Sequence, residues 1–176
     1  IRLFDNVDYK LEHAVEANEV EYSRLLTSTT WTTICLPFDV PEAACGDYDV
    51  LKIFGAADYA IVFEYNSTAM VKHTPYLIKK KDSFTDRNLA FDITGTITVA
   101  ATTDEAEAGV DDVKLVGIYE AQTIPEDGNS YGISGGVFKK PAKDNPNKLK
   151  AYRAYLQFIN TPQAEMLRIK VNDGTE

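Results

Sequence analysis

The sequence contains few of the residues from which catalytic and metal centres are usually built. Among its 176 residues are two histidines, two cysteines and one tryptophan. His13 and His73 lie in no recognisable motif, and the histidines and cysteines lack the short ligand spacing of structural zinc sites. We therefore expect no catalytic residue, no metal ligand, no cofactor and no enzymatic activity.

Two further shortages concern membranes and nucleic acids. No apolar run approaches the ~18 residues that cross a bilayer, and no polybasic amphipathic helix offers a surface anchor. Lys and Arg number 18 against 27 Asp and Glu, which gives a formal net charge of -9. This charge opposes contact with phosphate backbones, because affinity for nucleic acids rests largely on Lys and Arg. We expect no nucleic-acid partner and no membrane contact by this domain.

Helical periodicity is also nearly absent, whereas short alternating apolar runs and turn residues are frequent. The pattern predicts an all-β fold of about ten short strands with little helix, an antiparallel β-sandwich of the jelly-roll or Greek-key type, or a barrel. Residues 1–176 contain no linker-like stretch, so we expect a single domain. Because the numbering starts at Ile1, we expect it to be part of a longer exported chain whose signal is not included.

The predicted strands follow the apolar alternation along the chain. A helix over residues 16–26 is the alternative to the first strand, and we expect the acidic residues 104–112 to form a mobile loop. Gly95 is placed where a bulge is expected. The predicted strands cover residues 19–22, 31–39, 48–54, 59–65, 74–79, 89–99, 113–119, 151–158 and 166–171, with a hairpin over 130–140.

The most regular alternation occurs in residues 31–39. Ile34, Leu36 and Phe38 share one face and Trp31 and Cys35 the other, which is typical of a central strand packed on both sides. Pro37 lacks an amide donor, so pairing should weaken towards Asp39. We assign structural roles to four of these residues: Trp31, Leu36, Pro37 and Phe38.

Two further features each allow two interpretations. Cys35 and Cys45 are candidates for a disulfide in an exported protein, although Cys35 could equally be a small buried hydrophobe. The G-x-S-x-G pattern at residues 132–136 matches a hydrolase elbow, but no helix can follow it, and we interpret it as a glycine-rich hairpin turn.

Arg153 is the one charge in the otherwise uncharged strand 151–158, where Tyr155 is also assigned a structural role. A guanidinium on a packed face needs a partner, because an unpaired buried charge is too costly. We predict Asp39 as the partner, with Asp92 second. A role in binding a ligand carboxylate or a sugar is the alternative.

Ten Tyr, eight Phe and one Trp raise the alternative of a glycan-binding platform, because sugars stack on exposed rings. Most of these rings must be core. We place Trp31, Tyr59, Tyr65, Tyr119 and Tyr131 in strand-like, packed surroundings and expect Tyr48 to be partly exposed.

Several motifs together resemble a domain of exported proteins from Bacteroides-type gut bacteria. They are Trp31-Thr-Thr-Ile-Cys-Leu-Pro-Phe-Asp39, Thr74-Pro-Tyr-Leu-Ile-Lys79, Tyr131-Gly-Ile-Ser-Gly-Gly-Val-Phe138 and Tyr152-Arg-Ala-Tyr155, with a similar lead-in at Asn6 and Tyr22-Ser-Arg24. That domain often lies near the C-terminus of surface or secreted proteins that carry leucine-rich repeats. Residues 172–176 stop short of the family's usual tail.

The resemblance implies location and architecture without a reaction, and it supplies no catalytic residue. The expected function is a non-enzymatic adhesion or assembly module at the cell surface or outside the cell. A carbohydrate-binding module that delivers a partner enzyme to glycans is the alternative. The partner is unknown, with a glycan or a host or bacterial surface protein as candidates.

Overall fold

The computed structural model describes residues 1–143, 148–160, 162 and 164–172. This part of the chain contains fifteen strands and one short 3₁₀ helix, which confirms the all-β prediction. The strands are β1 (Arg2–Phe4), β2 (Val15–Leu25), β3 (Thr32–Ile34), β4 (Tyr48–Ala57), β5 (Ala60–Tyr65), β6 (Tyr76–Lys80), β7 (Asn88–Val99), β8 (Glu107–Val110), β9 (Val113–Ile118), β10 (Gln122–Thr123), β11 (Ser130–Ser134), β12 (Val137–Lys139), β13 (Lys148–Leu149), β14 (Arg153–Phe158) and β15 (Met166–Val171), and the helix is Glu42–Cys45.

The strands form one large sheet and two small ones. The large sheet has the order β3-β6-β4-β5-β15-β12-β11-β14-β9-β8, and the small sheets are β1-β2-β7 and β10-β13. The large sheet curls on itself, because β3 lies against β14 and β8 lies against β4. The amide of Ala154 donates to Thr33 Oγ1 at 2.9 Å where β3 meets β14.

Two apolar cores result from this arrangement. The inner core fills the curled sheet and includes Leu51, Phe63, Leu77, Phe138 and Leu156. The outer core lies between the β1-β2-β7 sheet and the outside of the curled sheet, where β2 and β7 bury alternate side chains against β3, β4 and β6. Strands β4 and β6 therefore form a middle layer that contributes side chains to both cores.

The segment at Trp31 differs from its prediction as a central strand. Only Thr32–Ile34 is strand, and β3 stands at the end of the large sheet and pairs with β6 alone. After Ile34 the backbone leaves the sheet: the amide of Cys35 donates to Tyr152 O, and Pro37 O accepts from the amide of Ala100. Leu36 and Phe38 lie beyond the strand, yet both are buried in the outer core.

Other predictions had mixed outcomes. The β2 strand confirms the strand interpretation over the alternative helix. Gly95 has φ +126° beside a register shift between β2 and β7, as expected for a bulge.

The predicted acidic loop was wrong in part, because β8 pairs with β9 across a two-residue turn with Asp111 at φ +52°. Not all pairing is antiparallel, since β1 with β2 and β15 with β5 are parallel.

We predict that Leu36→Ala lowers the free energy of unfolding by about 2–5 kcal/mol, because the side chain is 2 % exposed and its removal leaves a cavity. Leu25 is 67 % exposed and is the matched control; Leu25→Ala should cost less than about 0.5 kcal/mol. Urea titrations of both variants measure the difference. Equal effects would contradict the burial of Leu36.

Candidate functional site

A cleft with a volume of about 1000 Å³ opens on the surface of the described part of the chain. It lies where one end of the β1-β2-β7 sheet meets β3 and the β11–β12 hairpin. Its lining comprises residues 4–6, 23–28, 30–33, 88–90, 133–135, 148–150 and 153. Both sheets therefore contribute to one surface depression.

An ion pair between Arg153 and Asp5 lies in this cleft. Arg153 begins β14 and Asp5 directly follows β1, and Arg153 Nη1 is 2.6 Å from Asp5 Oδ1. The side chains are only 12 % and 14 % exposed. The same nitrogen also donates to Ala151 O at 3.0 Å. Arg153 therefore has the carboxylate partner that its place in the sequence required.

The predicted partners of Arg153 were wrong. Asp39 instead accepts a hydrogen bond from the amide of Lys72 at 2.8 Å, and Asp92 is exposed on β7 opposite Glu21. The sequence could not indicate Asp5, because the pair joins residues 148 positions apart and depends on how β1 reaches β14.

A second arginine, Arg24, also lies in the cleft and was missed from the sequence. It is 7 % exposed, its Nη1 donates to Thr33 O at 2.9 Å, and its Nη2 donates to Thr32 Oγ1. A signal existed, because Arg24 follows Val20 and Tyr22 on the inward parity of β2. A charge at such a position requires an explanation as much as Arg153 did.

Arg24 lacks a full counter-charge. Burial and, to a smaller extent, the positive charge of Arg153 lower the pKa of its guanidinium to about 10, although Tyr22 and Asp5 offset part of this effect. Asp5 forms its ion pair with Arg153 alone among the described residues. Among the described residues that line the cleft, two guanidinium groups thus face a single carboxylate, and that carboxylate is paired with Arg153.

The remaining charges increase this imbalance. Lys148 and Lys150 stand at the cleft with exposed side chains. The described residues that line the cleft thus provide four cationic side chains and one carboxylate, in a chain with a formal net charge of -9. Arg153 makes both of its hydrogen bonds to described residues through Nη1, so Nε and Nη2 retain donors for another acceptor.

Hydroxyl-bearing and apolar side chains together form the remaining wall, the apolar ones including Phe4, Leu25 and Ile133. Ser28 Oγ and Thr30 Oγ1 lie 2.7 Å apart at the exposed edge. Each hydroxyl can donate and accept a hydrogen bond. The hydroxyl-bearing residues of the lining are Ser23, Thr27, Ser28, Thr30, Thr32, Thr33 and Ser134.

Trp31 and Tyr155 occupy packed positions. Trp31 is half-buried against the inner core, and Lys79 Nζ lies 5.0 Å from its ring centroid. Tyr155 is 8 % exposed in a small cluster with Ile118 and Ile124. One ring face of Trp31 is therefore covered by a cation, although the residue lines the cleft.

Ser134 lies in a hairpin, as the sequence indicated. Strand β11 pairs with β12 in the register Ser134↔Val137, and Gly135 and Gly136 have φ of +60° and +78°. No histidine lines the cleft among the described residues. His73 instead lies within hydrogen-bonding distance of Tyr119, with Nδ1 2.7 Å from the Tyr119 hydroxyl.

Both cysteines are free thiols, so no Cys35–Cys45 disulfide is formed in this structure. Cys35 is fully buried with Sγ 3.6 Å from the Tyr119 hydroxyl, and Gly117 packs so closely that an added Cβ would meet that sulfur at 2.4 Å. Burial raises the pKa of the Cys35 thiol to about 12. This environment is that of a small buried hydrophobe.

Three tyrosines differ from the expected exposure. Tyr59 and Tyr65 are 68 % and 51 % exposed, at the turn before β5 and at its end. Tyr48 is buried, and its hydroxyl accepts from the amide of Ala90 at 2.9 Å. Tyr59 and Tyr65 lie outside the lining of the cleft, whereas the exposed ring of Phe4 belongs to it.

One group of carboxylates could hold a metal ion by geometry alone. Glu19, Glu21 and Asp92 have oxygens within 4.8 Å of one another on the β2–β7 surface. The proximity of Asp92 raises the pKa of Glu19, and Arg2 pairs with Glu21 at 2.6 Å. The group is mostly exposed, and we assign no ion to it.

No family model, no curated protein and no solved structure matches this chain. The family resemblance therefore remains a prediction. In the described part of the chain, none of the helical segments has the length and apolar character required to traverse a bilayer.

We predict that Arg153→Ala and Asp5→Ala each lower the free energy of unfolding by about 3 kcal/mol, because each leaves its partner buried without a counter-charge. The double variant should lose less than the sum. The exposed pair Arg2–Glu21, with side chains 72 % and 35 % exposed, is the control and should show a coupling of about 0–1 kcal/mol. Additive losses at Arg153 and Asp5 would contradict the pairing.

A thiol-labelling experiment tests the environment of Cys35. In native protein a maleimide should modify Cys45 well before Cys35, because the Cys35 thiol is fully buried and protonated at neutral pH. In denaturant both should react at similar rates. Peptide mass spectrometry identifies the labelled residue, and a native protein with no reactive thiol before reduction would instead indicate a disulfide.

Proposed function

We propose that this chain is a non-enzymatic adhesion module of an exported or cell-surface bacterial protein, and that it holds its partner through the cleft. The observation that carries the proposal is that Arg24 and Arg153 line one cleft in which Asp5 is the only carboxylate among the described residues. A cation-rich recess on an otherwise acidic molecule suits recognition of an anionic partner.

Arg24 and Arg153 form the floor of the cleft. They are well suited to binding because hydrogen bonds hold their guanidinium groups in place. Arg24 is held by Thr32 and Thr33, and Arg153 is held by Asp5 and the Ala151 carbonyl. Both arginines project from strands of the two sheets. Such pre-organisation reduces the conformational entropy that binding must overcome.

A carbohydrate-binding module that delivers a partner enzyme to glycans is the second candidate. The hydroxyl side chains of the wall favour it, because they match the hydrogen-bonding groups of a sugar. The two candidates share the cleft as binding site and differ in whether binding serves adhesion or the delivery of a partner enzyme to glycans.

An array of glycans and surface proteins tests the proposal. We expect saturable binding to one ligand class, without conversion of the ligand. Ser134→Trp, which places a bulky ring at the cleft, should weaken that binding at least tenfold. Ser67→Trp is the matched control, because Ser67 is exposed in a turn outside the lining, and it should bind normally.

Circular dichroism should show that both variants are folded. Absence of binding to every ligand on the array, binding that Ser134→Trp leaves unchanged, or mass spectra showing cleavage of the bound ligand would each contradict the proposal.

A further inference from the structure

We propose that the cleft binds the carboxylate of an acidic sugar, of the uronic acid class, within a short oligosaccharide. This inference rests on the proposed function and specifies its ligand. Three observations support it: the charges of Arg24, Arg153 and Asp5 at the floor of the cleft, the hydroxyl side chains of its wall, and the hydrogen bonds along the edge of β3.

The floor lacks one negative charge relative to its guanidinium groups. Asp5 pairs with Arg153, while Arg24 is fixed by a hydroxyl and a carbonyl oxygen. A second carboxylate beside Arg153 could accept from Nε and Nη2, since the planar guanidinium suits bidentate contact with a carboxylate. The floor would then contain two guanidinium groups and two carboxylates, with Lys148 and Lys150 near the opening.

The hydroxyl side chains of the wall favour a ligand that carries several hydroxyl groups, as a sugar does. The serine and threonine hydroxyls offer donors and acceptors to ring hydroxyls. The volume of about 1000 Å³ is at the upper end of the ~300–1,000 Å³ typical of small-molecule sites. A short oligosaccharide suits such a site better than a single small anion.

An acidic peptide is less well matched at the strand that forms one wall. Extended peptides commonly bind by pairing with a free strand edge. At β3 that edge is partly covered, because Arg24 Nη1 donates to Thr33 O, Ala154 N donates to Thr33 Oγ1, and Cys35 N, directly after the strand, donates to Tyr152 O. Recognition there must rely on side chains, as it does for sugars.

Isothermal titration at low salt tests the inference with trigalacturonic acid, its trimethyl ester and hexaglutamate. The ester keeps the rings and hydroxyls and removes the charge. We expect the acid to bind at least tenfold more tightly than the ester, a difference of about 1.4 kcal/mol, and more tightly than hexaglutamate. Added salt should weaken the binding of the acid.

Variants locate the binding in the cleft. Asp5→Asn removes the competing carboxylate with little change of shape and should bind the acid at least threefold more tightly, an effect that a purely structural role of Asp5 would not produce. The double variant Lys148→Gln/Lys150→Gln should weaken binding at least threefold. It leaves the ion pair between Arg153 and Asp5 intact, so its folding should be unaffected. Lys139→Gln/Lys143→Gln changes the charge equally at exposed residues outside the lining and should have no effect.

Each contrary result has a distinct meaning. Equal binding of acid and ester, preference for hexaglutamate, or equal losses in the two lysine double variants would overturn the inference. If the trisaccharide does not bind while the array identifies another ligand, the inference fails and the adhesion proposal stands. If no ligand binds in either experiment, both fail.

Discussion

The ion pair between Arg153 and Asp5 joins the two sheets and determines the electrostatics of the cleft. Asp5 follows an edge strand of the small sheet, Arg153 opens a strand of the curled sheet, and their oxygen and nitrogen lie 2.6 Å apart. Because Asp5 is committed to Arg153, Arg24 on the neighbouring strand has only neutral hydrogen-bond acceptors. The charge of Arg24 therefore lacks an ion-pair partner among the described residues, because Asp5 is engaged in the contact between the two sheets.

The layered core explains why the charged residues of the cleft keep their positions. Strands β4 and β6 bury one face in the curled sheet and the other against the small sheet, so the small sheet has a fixed position from which β1 and β2 direct Asp5 and Arg24. Packed cores tolerate little displacement. A buried ion pair contributes less to stability than to fixing geometry, and here the geometry it fixes is that of a potential binding site.

Local patterns predicted the strands well and the site poorly. Residues 166–171 and 89–99 alternate regularly, and β15 and β7 occupy them almost residue for residue. The acidic stretch 104–112, which contains β8, carried no such signal, because that strand is defined by pairing with β9. The partner of Arg153 depends on a contact across 148 positions. The inward parity of Arg24 was visible, and with Arg153 it would have indicated a buried cationic pair.

Arginine side-chain NMR tests most directly whether the cleft floor at Arg24 and Arg153 takes up a ligand carboxylate. Nitrogen-15 labelling of arginine gives one Nε–H signal for each of the chain's five arginines, and titration with trigalacturonic acid tests the claim directly. We predict that the signals of Arg24 and Arg153 shift in a saturable manner while those of Arg2, Arg87 and Arg168 stay in place. Unchanged signals for Arg24 and Arg153, or equal shifts for all five, would contradict it.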